Sequence, residues 1–151
     1  MRHVGTQFQV RVTGETTSVR VREGRVLLTR GPGSQDTTDI ATGDELSVTG
    51  NEVAWRRGLP SFGADWEWSA SVAPQLEIEN RPLAEFIAWM AREHGWQIRY
   101  GDETLQQRTH DIRLHGSLDE LGADAMLERV SLVTGVPMSV RDGVLWVGGR
   151  Q

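Results

Sequence analysis

The sequence predicts a mixed fold in two parts. An all-β N-terminal half, a sandwich or roll of short strands, precedes an α+β C-terminal half of βαββαββ type. Three observations predict it. Apolar and polar residues alternate with period two from Val4 to about Trp55, and no helical stretch interrupts them. From Leu76 onward the period switches: Leu83, Phe86, Ile87 and Met90 fall at the i, i+3, i+4 and i+7 positions of one helix face. Near the end, Asp142-Gly143 separates Pro137–Val140 from Val144–Val147, the strongest short-range hairpin signal in the chain. The expected boundaries are residues 1–58 for the β domain, 59–75 for a connecting segment and 76–149 for the α+β domain.

In the first half, Phe8, Val10 and Val12 alternate with Gln7, Gln9 and Arg11, which gives a strand with one apolar face. Thr13-Gly14-Glu15 turns the chain, and Val19 and Val21 alternate with Ser18, Arg20 and Arg22. Glu23-Gly24 breaks that strand before Val26 and Leu28 resume the pattern. Gly31-Pro32-Gly33-Ser34 is a loop, since proline lacks the N–H that a ladder needs. Short strands follow at Thr37–Ile40, Glu45–Val48 and Glu52–Trp55, separated by Thr42-Gly43-Asp44 and Gly50-Asn51. Arg56 to Pro74 holds Gly58, Pro60 and Gly63 and reads as the connection between the halves.

In the second half, Leu76 and Ile78 form a short strand that ends at Asn80. Pro82 then opens a helix in the first turn, where its missing N–H costs nothing, and Gly95 stops it after His94. Trp96–Tyr100 is a strand, Gly101 to Thr109 a polar connection, and Asp111–His115 a further strand. A second helix starts near Gly122–Ala123, with Met126, Leu127, Val130 and Val133 facing the core, and ends at Gly135. Two helices over a small sheet make an α+β layer.

Composition narrows the chemistry. Hydrophobic residues make up 38% and charged residues 25% of 151, a normal globular balance. The net charge of -5 argues against a general nucleic-acid binder, which must neutralise phosphates. All 16 basic residues are arginine, scattered along the chain as a coding bias would scatter them. The absence of cysteine removes disulfides, thiol nucleophiles and cysteine zinc sites. No apolar run approaches the ~20 residues that span a bilayer.

No catalytic constellation emerges. Of His3, His94, His110 and His115, the last two lie five apart on an expected strand and should face opposite ways, while His94 sits where a helix dipole favours a cationic ring. Ser34 has no following helix to make a nucleophile turn, and there is neither a Gly-x-Gly-x-x-Gly nor a lysine for a phosphate loop. The carboxylate pairs Asp65/Glu67 and Glu77/Glu79 have the spacing of ordinary acidic surfaces. The chain is therefore expected not to be an enzyme, with no catalytic, metal-ligating or cofactor-binding residue assigned.

Six tryptophans remain to be placed. Trp55 and Trp146 are expected in the core, and Trp89, off the helix stripe, at a junction between the halves. Trp66 and Trp68, in the connecting segment, are the expected exposed pair and the candidate partner interface, because tryptophan supplies contact area with a polar handle. A small-ligand or hydrolytic site beside that pair is the enzyme alternative.

The residues also resemble a known family. Val4-Gly-Thr-Gln-Phe-Gln-Val-Arg-Val, followed by Ser18-Val-Arg-Val-Arg-Glu-Gly-Arg-Val26, is similar to the signature of the FecR domain. Ala41-Thr-Gly-Asp-Glu45 resembles that family's later turn, and Trp55-Arg-Arg-Gly58 its Trp-x-x-Gly ending. Leu76–Tyr100, His115-Gly-Ser through Thr134-Gly135, and Arg141-Asp-Gly-Val-Leu145 resemble the short N-terminal domain of secretins and TonB-dependent receptors (STN). Unlike the family's regulators, the chain inserts Leu59–Arg81 between Trp-x-x-Gly and the Pro-Leu helix. The resemblance implies the periplasmic, protein-binding portion of an inner-membrane regulator of the anti-sigma type, with a membrane span upstream. It also implies a periplasmic partner domain, the signalling domain of a TonB-dependent outer-membrane receptor, and no cofactor. The alternative is an assembly component of an envelope complex that oligomerises through the short domain.

Overall fold

The structure, a computed structural model, describes residues 5–33, 35–73 and 75–149. Val4, His3, Ser34 and Pro74, used above, lie outside the described residues. The chain divides into two compact units, Met1–Ser61 and Phe62–Gln151, and the mixed class expected from the sequence is the class observed.

The first unit is all β. Strands β1 (Gln7–Thr13), β2 (Thr16–Glu23), β5 (Glu45–Thr49) and β6 (Glu52–Arg56) form an antiparallel sheet in the order β1-β2-β5-β6. Strands β3 (Arg25–Thr29) and β4 (Thr37–Ala41) form a separate antiparallel pair. Cross-strand partners share a face, so the register lines up Val10, Val19, Leu46 and Trp55 in one apolar row. Val19, Val21 and Leu46 bury against Ile40 of β4, with Val26, Leu28 and Val48 packed around them. A two-stranded pair covers about half the width of a four-stranded sheet, given ~4.8 Å between strands. The ends of the row accordingly stay exposed: Phe8, Val10 and Val12 on β1, Val53 and Trp55 on β6. Trp55, expected in the core, is therefore a surface residue, with the Arg57 guanidinium 4.6 Å above its ring.

The polar face of β2 is covered as well. Arg20 and Arg22 are each only 5% exposed. Arg20 donates to the Pro60 carbonyl at 3.0 Å and Arg22 Nε to the Ser61 carbonyl at 2.7 Å. Leu59 N–H donates to the Gly43 carbonyl at 2.8 Å. The two buried arginines thus hold Leu59–Ser61 as a strap over β2, using hydrogen bonds that a charged donor makes stronger than neutral ones.

The second unit is α+β with more helix than expected. Its elements are α1 (Ala64–Val72), β7 (Arg81–Pro82), α2 (Leu83–His94), β8 (Gln97–Tyr100), α3 (Glu103–Asp111), β9 (Arg113–Leu114), α4 (Ala123–Thr134), β10 (Met138–Arg141) and β11 (Val144–Val147). The sheet runs β10-β11-β8, with β10 antiparallel and β8 parallel to β11. Leu83, Phe86, Ile87 and Met90 of α2 share one buried cluster with Leu127 and Val130 of α4 and with Leu145 and Val147 of β11. Trp89 packs against this same cluster, its ring 6.5 Å from that of Phe86, rather than being left for a junction.

Several expectations need correction here. Leu76 and Ile78 form no ladder; the strand is the two-residue β7, paired with β9. Pro82 is the last residue of β7 and the N-cap of α2, one position earlier than expected, with extended backbone at ψ 143. The polar stretch after Gly101 is helix α3, capped by Asp102, whose carboxylate accepts from Leu105 N–H at 2.7 Å. The connecting stretch holds helix α1, which packs against α2. Val133 is 72% exposed, since Leu127 and Val130 set the buried side of α4.

The hairpin is as expected. Asp142 (φ 51) and Gly143 (φ 73) both take left-handed backbone, as a two-residue type I′ turn requires. Gly143 also has no room for a side chain, because a Cβ there would land on the Phe62 ring.

Candidate interaction surface

Trp66 and Trp68 do not form a paired surface. Trp66 is 3% exposed and Trp68 47%. Read as a connection, the two could point one way; on helix α1, residues two apart are turned by ~200° and cannot. Only Trp68 stays available to a partner.

The histidines are placed differently from expectation too. His110 lies in the last turn of α3 and His115 beyond β9, so the two never share a strand. His94 stacks on Trp96, with ring centroids 4.5 Å apart. His115 Nδ1 meets Glu79 Oε1 at 2.8 Å, and Gly116 N–H donates to Glu79 Oε2 at 2.8 Å. These two hydrogen bonds, the His115 one first, hold the Glu79 carboxyl below its ordinary range. The pair is exposed and staples the segment before β7 to the one after β9. Among the described residues no three metal-ligating side chains gather. No helix among them is long and apolar enough to cross a membrane.

A concave feature of the second unit lies along α4 and β10. A groove of about 580 Å³ is lined by Asp124, Leu127, Glu128, Ser131 and Leu132 on the helix side, and by Pro137, Met138, Ser139 and Val140 on the strand side. The helix residues fall at i, i+3, i+4, i+7 and i+8, a single stripe along α4. Gly135, left-handed at φ 69, ends the helix, and the chain reverses into β10 beside it. Met138 N–H donates to Ser131 Oγ at 3.0 Å, which fixes the strand against the last turns of the helix. Leu132 is 83% exposed at that end of the stripe.

The hydrogen-bond register of β10 decides what its outer edge offers. A two-residue turn makes Arg141 and Val144 a mutually bonded pair, so Ser139 and Trp146 are the next. Val140 and Met138 then direct their backbone groups away from β11. The Met138 N–H is taken by Ser131. This leaves the Val140 N–H and C=O and the Met138 C=O along the edge, and no strand among the described residues pairs there. At the sheet's other edge, α3 packs against β8.

Sequence reasoning did not find this surface. Its one visible sign is apolar excess on α4: Leu132 and Val133 fall beyond what the Leu127–Val130 stripe needs. No family model matches the chain. Two crystal structures of a candidate anti-sigma factor from Parabacteroides distasonis are similar to it at 16% identity, both with a TM-score of 0.42. They match over 95% and 98% of this chain and 64% and 66% of their own. The chain thus spans slightly under two thirds of the length of the proteins it matches.

Proposed function

We propose that this chain is a non-catalytic protein-binding module, the periplasmic part of a FecR-like membrane regulator of the anti-sigma type, and that it binds through its α+β unit. The observation that carries the reading is the unpaired outer edge of β10 beside the α4 groove. An exposed edge next to a helix can accept a partner's extended segment as a further strand: backbone hydrogen bonds supply affinity and side-chain pockets supply choice. The FecR-like stretches from Val4 to Gly58 and the STN-like stretches after Leu76 support the regulatory setting.

The test is a titration of isotope-labelled protein with isolated signalling domains of TonB-dependent receptors, followed by backbone amide shifts. Saturable shifts concentrated in the α+β unit are expected. No shift with any such domain, together with concentration-dependent self-association in sedimentation, would instead make the chain an assembly component.

A further inference from the structure

Resting on that reading, the geometry points to one kind of occupant for the α4–β10 groove: an extended partner segment with apolar side chains at alternate positions and an arginine or lysine at the end beside Val140.

Length comes first. The helix stripe from Asp124 to Leu132 covers eight steps, ~12 Å at 1.5 Å per residue. The three steps of β10 from Met138 to Arg141 cover ~10 Å at ~3.3 Å each. Helix and strand therefore flank the groove over a similar distance, enough for about four residues of an added strand. One face of such a strand turns toward α4, and every second side chain meets the lining.

Charge comes next. Because Met138 lies against Ser131, and the strand runs back along the helix, Val140 lies toward Leu127 and the N-terminal turns of α4. The apolar floor is Leu127, Leu132, Met138 and Val140. Asp124 and Glu128, one turn apart, stand at the Val140 end, and the lining contains no cation. Asp124 alone would be unremarkable, since an acid in the first turn offsets the helix dipole. Glu128 lies beyond that turn, and no ion-pair partner is found for either carboxylate among the described residues. A basic side chain two positions from an apolar one satisfies both ends of the groove. An acidic segment would meet like charge at the same place, so the rim discriminates as well as attracts.

The probe is a short capped peptide alternating valine and threonine and ending in arginine, titrated into the full chain. Expected are amide shifts at Ser131, Leu132, Ser139 and Val140, with affinity reduced by about tenfold or more when the arginine is replaced by glutamate. The double variant Asp124→Asn, Glu128→Gln should remove that preference while leaving a neutral peptide's binding unchanged. A fourth peptide, the arginine peptide N-methylated at alternate backbone positions, keeps every side chain but cannot pair with β10, and should not bind. It leaves the fold of the protein untouched, unlike a proline placed in β10. Binding of the N-methylated peptide, an equal affinity for arginine and glutamate peptides, or no shift in the groove would each overturn the inference. If receptor signalling domains still shift other residues, only the groove assignment falls. If they shift nothing, the proposed function falls with it.

Discussion

Replacing Gly143 by alanine tests how the β10–β11 hairpin, and with it the outer edge of β10, is held. Gly143 is constrained twice. Its φ of 73 is left-handed, which costs a residue with a Cβ about 1–2 kcal/mol. The new methyl would also land on the Phe62 ring, which would have to swing out. Fully burying a phenylalanine is worth about 1.5–3 kcal/mol, so displacing this half-buried ring costs about 1 kcal/mol. The sum is about 2–3 kcal/mol. The two contributions can be separated. In a Phe62→Ala background the ring is already gone, and Gly143→Ala should cost only the backbone part. A coupling of about 1 kcal/mol between the two sites is therefore expected, above the ~0.3–0.5 kcal/mol within which independent sites add. Native-state hydrogen exchange at the Leu145 and Val147 amides is the assay, because these buried residues report the core of the second unit. Equal costs in both backgrounds would show that Phe62 does not rest on the turn, and would refute the steric half of the reasoning.

Three further outcomes follow from other parts of the chain. Arg22→Ala should release the strap: the Leu59 amide, now bonded to Gly43, should exchange at least tenfold faster, since a charged hydrogen bond contributes about 1.5–3 kcal/mol. Tyr100 is the chain's one tyrosine and its burial raises the phenol above 10, outweighing the hydrogen bond with Thr109. Its absorbance titration should have a midpoint above 10, and stability should fall as pH rises past 10, where the unfolded chain ionises first. Trp66→Ala should cost about 3–5 kcal/mol in urea unfolding and Trp68→Ala under about 1 kcal/mol, because only the former is buried.

Elements whose own side chains carry a strong period were legible in the sequence. The first-unit strands alternate because one face of the sheet packs on Ile40, and α2 shows its stripe because five of its residues bury. The Asp142-Gly143 turn was legible because type I′ geometry needs those residue types. Helix α3 was not: Thr109 is its one buried residue, so a polar run gives no stripe, and only the Asp102 cap marks it. Helix α1 was hidden by Gly63 and the nearby prolines, which read as a connection, and with it went the true placement of Trp66. The two-residue β7–β9 ladder leaves no periodicity to read. The groove was invisible for a different reason. It arises from two segments that each look ordinary, a helix stripe and a strand edge, and becomes a surface only when Gly135 folds one beside the other.

The proposed partner is placed on β10 rather than on β1 or β6 for a further reason. The four-stranded sheet of the first unit has β1 and β6 at its edges. On β1 the register shifts between Gln7 and Phe8, an irregularity of the kind that blunts an edge against pairing. β6 has Glu52 and Arg56 at its two ends, the latter bonded across to Glu45 at 3.3 Å, and charged side chains on an edge discourage strand addition. β10 has neither device over Met138–Val140: its register with β11 is unbroken, and its first charge is Arg141 at the turn. Unlike β1 and β6, β10 thus carries neither of these devices over Met138–Val140, and it lies against an apolar groove with an acidic rim.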